Sequence, residues 1–204
     1  MTIFRFTGLA LVCGAMGLWA GVCLAQAKPA ASPPAALPVA QLVSAGSEIV
    51  FTTRQLGVPV EGKFQRFTAQ IALDPKKPET GSVAFAIDTT STRFGSAELD
   101  AEVPKAIWLD TKRFPQASFA SKSVKGLGGG RFEVAGALTI KGNTRDLLVP
   151  VQLVQAGGSS TASGSFTIKR IDFKVGEGEW TDTSMLANDV VVRFKLQLTG
   201  VPAL

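Results

Sequence analysis

From residue 47 onward, apolar and polar residues alternate with a period of two along much of the chain. Val83, Phe85 and Ile87 alternate with Ser82, Ala84 and Ala86. Phe132, Val134, Gly136, Leu138 and Ile140 fall on one face of a second segment, and Leu147, Val149, Val151 and Leu153 on one face of a third. Val190, Val192, Phe194, Leu196 and Leu198 repeat the pattern near the C-terminus. Successive side chains of a strand point to opposite faces, so each segment presents one apolar face. Eight strands are predicted, over 47–54, 60–73, 80–88, 116–124, 131–141, 144–155, 162–172 and 189–199.

The punctuation agrees with that reading. Lys141-Gly142-Asn143-Thr144 reads as a tight hairpin, and Gly126–Gly130 and Gly157-Gly158 read as turns. Within 60–73 the apolar parity changes between Phe64 and Phe67, which predicts a bulge. Ser96 to Asp110 breaks the alternation. It carries Leu99, Val103 and Trp108 among charges and reads as a short helical or irregular crossover, limited by Pro104. Long one-faced antiparallel strands build a sandwich or a closed barrel, and strands of this length favour the barrel. An eight-stranded barrel is either filled by its own side chains or holds one slender ligand.

The first 40 residues follow other rules. Arg5 followed by the apolar run Thr7–Leu24 and small residues around Ala25 reads as a secretory signal peptide over 1–25. An uncleaved anchor and a lipoprotein acylated at Cys23 are the alternatives. Residues 26–40, rich in alanine with Pro29, Pro33, Pro34 and Pro38, read as a linker, and 41–204 as one folded domain. Both cysteines, Cys13 and Cys23, fall in the signal, so the exported chain is expected to lack thiols. A periplasmic destination follows from that export.

Composition narrows the chemistry. The 204 residues include no histidine, which removes imidazole bases and histidine-bearing metal sites. The formal charge of +5 comes from scattered lysines and arginines without a basic stripe, so no nucleic-acid partner is expected. Thirteen phenylalanines and no tyrosine point to a dry interior, filled or hollow. Gly126–Gly130 leads into a strand and reads as a turn, not a phosphate loop. Glu98, Asp100 and Glu102 are the densest acidic cluster; they read as a solvated surface or, alternatively, as the acid and base of a small hydrolase or isomerase acting on a lipid-like substrate. Glu177, Glu179 and Asp182 match no cation-loop spacing. Arg170 shares parity with Phe166 and Ile168 and is expected in an ion pair with Asp172 or Asp182, or against a ligand head.

Several segments taken in order resemble the YceI-like family of exported, lipocalin-like isoprenoid-binding proteins. They are Ser47–Phe51, Val60–Phe64, Val83–Ser91, Trp108-Leu109-Asp110, Phe114–Ser121, Gly136–Thr144 and Ile168–Phe173. The resemblance implies an all-β fold, an eight-stranded antiparallel lipocalin-like barrel with one short helical crossover. It implies a carrier or sequestering protein for a long-chain isoprenoid lipid, an isoprenoid quinone being one such ligand, with no bond chemistry and no cofactor. A membrane-protein donor or acceptor for the lipid would be a further partner. Within that frame the ligand-lining residues are expected to be Phe64, Phe67, Phe85, Ile87, Leu99, Trp108, Phe119, Phe132, Val134, Leu138, Phe166, Ile168, Arg170 and Phe194. Thr53–Gly57 stands where some members carry a histidine, so no role for such a residue transfers.

Overall fold

The computed structural model describes Leu37 and residues 39–204. The signal segment 1–25 with its two cysteines, and the linker as far as residue 36, lie outside the described residues. The described strands are β1 (Val39–Gln55), β2 (Val58–Phe64), β3 (Phe67–Ala72), β4 (Ser82–Asp88), β5 (Thr92–Arg93), β6 (Gln116–Gly128), β7 (Arg131–Ile140), β8 (Asn143–Ala156), β9 (Ser159–Lys169) and β10 (Asp189–Thr199). One short helix, α1 (Ala97–Glu102), interrupts them. Strands β1, β3, β4, β6, β7, β8, β9 and β10 pair antiparallel in that order, and β10 pairs back to β1. The result is a closed eight-stranded antiparallel barrel whose β1–β3 seam is short, made by Val39↔Ala72 and Ala40↔Ile71.

The alternation read along the chain becomes the inside and outside of this ring. On β7, Phe132, Val134 and Leu138 are buried while Arg131 is exposed. Burying such an apolar side chain contributes about 1.5–3 kcal/mol. The inward faces of the strands meet in one core that joins Ile49, Ile71, Val124, Val149, Leu153 and Leu196.

Two irregularities shape the barrel. β1 begins at Val39, inside the stretch read as linker and well before residue 47. Between Val43 and Glu48 the partner strand advances only from Gln197 to Lys195, so β1 carries a bulge there. The bulge moves the inward parity from Ala40 and Leu42 to Ile49 and Phe51, which is why the first half of the strand shows no continuous alternation. The second irregularity is the predicted one. β2 and β3 form one strand broken at Gln65-Arg66, whose N–H groups donate to Ser91 O and Ser91 Oγ at 3.2 and 3.0 Å. The break lets β2 pair with the second half of β1 and with β5, while β3 pairs with β4 and with the start of β1.

The two ends differ. At one end lie the tight turns β6–β7 and β8–β9, together with the C-terminal residues. At the other lie the β1–β2 hairpin, the β4–β6 crossover with α1, the β7–β8 hairpin and the long β9–β10 loop. The β7–β8 hairpin turns on Lys141-Gly142 with φ of 49° and 73°. Lys141 Nζ is buried and donates to Lys174 O at 2.8 Å and to Glu177 Oε2 at 2.7 Å, tying hairpin to loop. The bond from Lys141, reinforced by its charge, holds the Glu177 carboxyl below the usual glutamate range. A carboxylate depressed on folding adds stability above its unfolded value and loses it as pH falls through the folded value. Acid melting curves of wild type and Glu177→Gln should therefore converge as pH falls through and below the ordinary carboxylate range, with wild type the more stable near neutrality. Parallel curves across that range would dismiss the tie.

Candidate ligand-binding tunnel

The barrel interior is hollow along its axis. A deep section of about 130 Å³ is lined wholly by apolar side chains, among them Phe85, Phe132, Val134 and Leu153. An upper section of about 170 Å³ shares Ile49, Ile87, Leu138, Phe166 and Val192 with it. An outer section of about 200 Å³ shares Thr53, Phe94, Val103, Trp108 and Leu186 with the upper one. Neighbouring sections share these walls, and polarity rises outward. Thr53 and Arg170 are the polar residues in the upper wall, and Thr53, Gln55 and Glu102 those in the outer wall.

Phenyl rings set the bore, and glycines make room for them. A Cβ built on Gly62 would lie 2.4 Å from Phe51 Cζ, and one on Gly164 would lie 2.6 Å from Phe194 Cζ. Phe51 also meets Phe64 and Phe94, with ring centroids 5.1 and 5.4 Å away. These rings stand together in the wall of the upper section, and Phe94 reaches the outer one as well.

The crossover and the β9–β10 loop form the mouth. Val103 is buried, and Leu99, Val103 and Trp108 all line the outer section. Trp108 packs against Trp180 with ring centroids 5.2 Å apart. Gly176 lies beneath them at φ 77°; a Cβ there would stand 2.6 Å from Arg170 Nη1 and 3.0 Å from Trp108 Cζ3. The position needs glycine for both its backbone and its space.

Arg170 departs from expectation. β9 ends at Lys169, and Arg170 opens a 3₁₀ turn through Phe173. It pairs with neither Asp172 nor Asp182, and has no acidic partner among the described residues. Its guanidinium donates instead to backbone carbonyls. Nε reaches Ala187 O at 3.0 Å, Nη1 reaches Val175 O and Gly176 O at 3.0 and 3.1 Å, and Nη2 reaches Leu186 O at 2.7 Å and also Trp180 O. Burial pulls its pKa down from the ordinary value, yet a guanidinium stays protonated in proteins. The planar five-donor fork suits a loop that must offer its carbonyls inward. Its side chain lines the upper section while its polar edge is committed to the loop.

The expected lining residues fall into place as follows. Phe85, Phe119, Phe132, Val134 and Phe194 line the deep section; Ile87, Leu138 and Phe166 line both deep and upper sections. Phe64, Ile168 and Arg170 line the upper one, Trp108 the upper and outer, and Leu99 the outer. Phe67 does not line any of the three. It packs against the core just past the break in the β2–β3 strand and borders an outer groove. Ile49, Val192, Phe51, Phe94 and Val103 belong to the walls as well. The apolar parity of β1 and β10 carries the signal for the first three; Phe94 sits in the irregular crossover, where no periodicity marks it.

The acidic groups are occupied structurally. Asp100 Oδ1 accepts from Phe94 N–H at 2.6 Å, Glu102 pairs with Lys105 at the surface, and Glu98 is exposed. Asp182 Oδ1 accepts from Ser184 N–H and Oγ–H.

Comparison with known proteins gives a consistent picture. The YceI-like domain model matches residues 41–198. A UPF0312 protein of Vibrio cholerae is 31% identical over 114 residues, which are 55% of this chain and 60% of that protein, so the chain spans about three fifths of its length. The crystal structure of Burkholderia cenocepacia BcnA superposes with a TM-score of 0.75 at 39% identity, covering 77% of this chain and 99% of that one. A polyisoprenoid binding domain from Saccharophagus degradans, implicated in plant cell wall breakdown, shares the fold with a TM-score of 0.62 at 16% identity, over 81% of this chain and 99% of that domain.

Proposed function

The chain belongs to the YceI-like family, and on that premise we propose that it binds a long-chain isoprenoid lipid in its tunnel and carries or sequesters it in the periplasm. The observation behind this reading is the series of apolar cavities that share walls inside the barrel, with polarity rising toward the mouth. An apolar cavity of about 150 Å³ holds one benzene molecule. Each section therefore takes roughly one five-carbon unit, and a chain of such units is the ligand shape that threads all three. Every buried methylene contributes about 0.8 kcal/mol, so the tail supplies the affinity. The head, a quinone ring or another polar group, would rest in the outer section beside Thr53, Gln55 and the two tryptophans. Binding and release need no bond chemistry. The shared fold of the Saccharophagus degradans polyisoprenoid binding domain supports this reading. Arg5 and the apolar run Thr7–Leu24 support export, and a membrane protein would hand over or receive the lipid.

Native mass spectrometry of the protein recovered from the periplasm, with lipid extraction, tests both parts. The expected species starts near Gln26 or Lys28 and carries a prenyl lipid. A chain with neither co-purifying lipid nor a rise in melting temperature on adding a long-chain prenol would defeat the carrier reading; a full-length mass would defeat export.

Trp108 offers an optical check, because it lines the upper and outer sections. In a chain with Trp19 and Trp180 replaced by Phe, the emission of Trp108 should shift to shorter wavelength as a prenol displaces water from the mouth. An unchanged spectrum at saturation, with binding shown by another method, would place the ligand elsewhere.

A further inference from the structure

The β1–β2 hairpin turns on Leu56 and Gly57, both in the left-handed backbone region at φ 49° and 81°. Glycine adopts that conformation freely; a leucine is strained in it. The β8–β9 turn meets the same demand with Gly157 and Gly158. The β7–β8 turn places Lys141 there, but its buried ammonium makes two hydrogen bonds. Leu56 is tied only through its backbone N–H, which donates to Met185 O; its side chain is exposed at 71% and gains nothing comparable. A strained residue whose side chain has no internal return points to a contact for that side chain outside the chain.

The surroundings of Leu56 say what that contact is. Val58, Val60 and Phe64 share one face of β2. Phe64 lines the upper section and Val60 the outer, while Val58 is 63% exposed beyond the mouth. An apolar strip therefore runs from inside the tunnel to the hairpin tip. The Leu56 N–H donates to Met185 O at 2.8 Å, which sets the exposed Met185 beside it. Arg54, also exposed, donates from Nη1 to Gly57 O at 3.1 Å and puts a cation beside the apolar tip.

We infer that this tip docks on an anionic phospholipid bilayer. Leu56, Val58 and Met185 enter the boundary between headgroups and acyl chains, and Arg54 stays at phosphate level. The strip then gives a prenyl chain an apolar path from bilayer to tunnel. The formal net charge of +5, or +4 once Arg5 leaves with the signal segment, favours the same surface. The inference rests on the isoprenoid reading of the tunnel.

The test has two arms. In the first, a chain with Cys13 and Cys23 replaced by Ser carries one environment-sensitive fluorophore, on Leu56→Cys or on Leu127→Cys. Leu127 is 42% exposed near the β6–β7 turn, at the opposite end of the barrel. With vesicles of phosphatidylglycerol and phosphatidylethanolamine containing a doxyl-lipid quencher, the label at 56 should shift to shorter wavelength and be quenched, and the label at 127 should not. Equal responses, or none at 56, overturn the docking. Both labelled chains are used in the exported form that starts near Gln26 or Lys28, so the apolar N-terminal run does not enter the comparison.

In the second arm, Leu56→Asn with Val58→Thr should slow loading of a long-chain prenol from those vesicles about tenfold. Loading from detergent micelles should be unchanged, because neither residue lines the tunnel. Unchanged vesicle loading, or an equal fall from micelles, overturns the inference. Absence of uptake from both sources by the wild type defeats the isoprenoid reading, and the first arm then decides the docking alone.

Discussion

Ile168→Trp should abolish binding of a long prenyl chain and leave the barrel folded. Ile168 lies on β9 and its side chain faces the upper section, which has about 170 Å³ of open space. An indole placed there occupies the passage between mouth and deep section. A ligand stopped at that point leaves at least five carbons of tail outside, and at about 0.8 kcal/mol per methylene the loss is about 4 kcal/mol, or roughly a thousandfold in affinity. Overpacking a filled core costs about 1–3 kcal/mol; existing space should keep the penalty at the low end. Val134→Trp acts deeper, in the section of about 130 Å³, and should spare short prenyl chains while rejecting long ones. Calorimetric titration with prenols of graded length, beside thermal melting, reads both effects. Unfolding of both variants, with no prenol-dependent shift for wild type, would mean that the interior is a core and not a passage.

Arg170→Met should destabilise the mouth strongly. The substitution removes the donors serving five backbone carbonyls in the β9–β10 loop. A buried acceptor left without a partner costs about 1–3 kcal/mol. Water can reach some of these groups as the loop loosens, so a loss of about 3 kcal/mol or more is expected. For a domain of this size that corresponds to a fall in melting temperature of about 6–12 °C. Arg170→Lys should recover little, because one ammonium cannot span carbonyls at Val175, Trp180 and Ala187 together. Hydrogen exchange locates the effect: protection should vanish at Gly176 and Ala187, whose amides donate to Ile107 O and Arg54 O, and persist along β7. An unaltered melting curve with unaltered exchange at those amides would show that the loop holds without the arginine.

Much of the barrel was legible because its strands obey a period of two against a single interior. β7 and β8 fall within a residue of their expected limits and β10 matches them at Asp189 and Thr199, whereas β6 runs on to Gly128 and β9 spans Ser159–Lys169, three residues earlier than expected at each end. The first half of β1 was not legible, since the bulge between Val43 and Glu48 reverses parity in the middle of the strand. Local alternation cannot see a reversal that the partner strand imposes. The lining residues on regular strands were readable for the same reason that the strands were. Phe67 was not: it shares parity with Ile71 and Leu73, which line the deep section, but beside the break at Gln65-Arg66 it packs against the core and borders an outer groove. Arg170 shows a different limit. A charged residue among apolar neighbours suggests an opposite charge, but carbonyl oxygens carry no mark in a sequence. Only the fold brings those of Val175, Trp180 and Leu186 to one guanidinium.

The rings seated on glycines move control of the tunnel's calibre from the lumen to the wall. At Gly62 the three atoms nearest a built Cβ all belong to the Phe51 ring, whereas at Gly136 and Gly164 a neighbouring backbone carbonyl also stands in the way. A methyl at residue 62 therefore presses first on Phe51, which packs on Phe64 and Phe94 in the wall of the upper section. Gly62 belongs to none of the three linings, yet it bears on the width of the section that Phe51 helps to form. The gauge of such a barrel is thus adjustable from a position that an inventory of lumen residues would overlook.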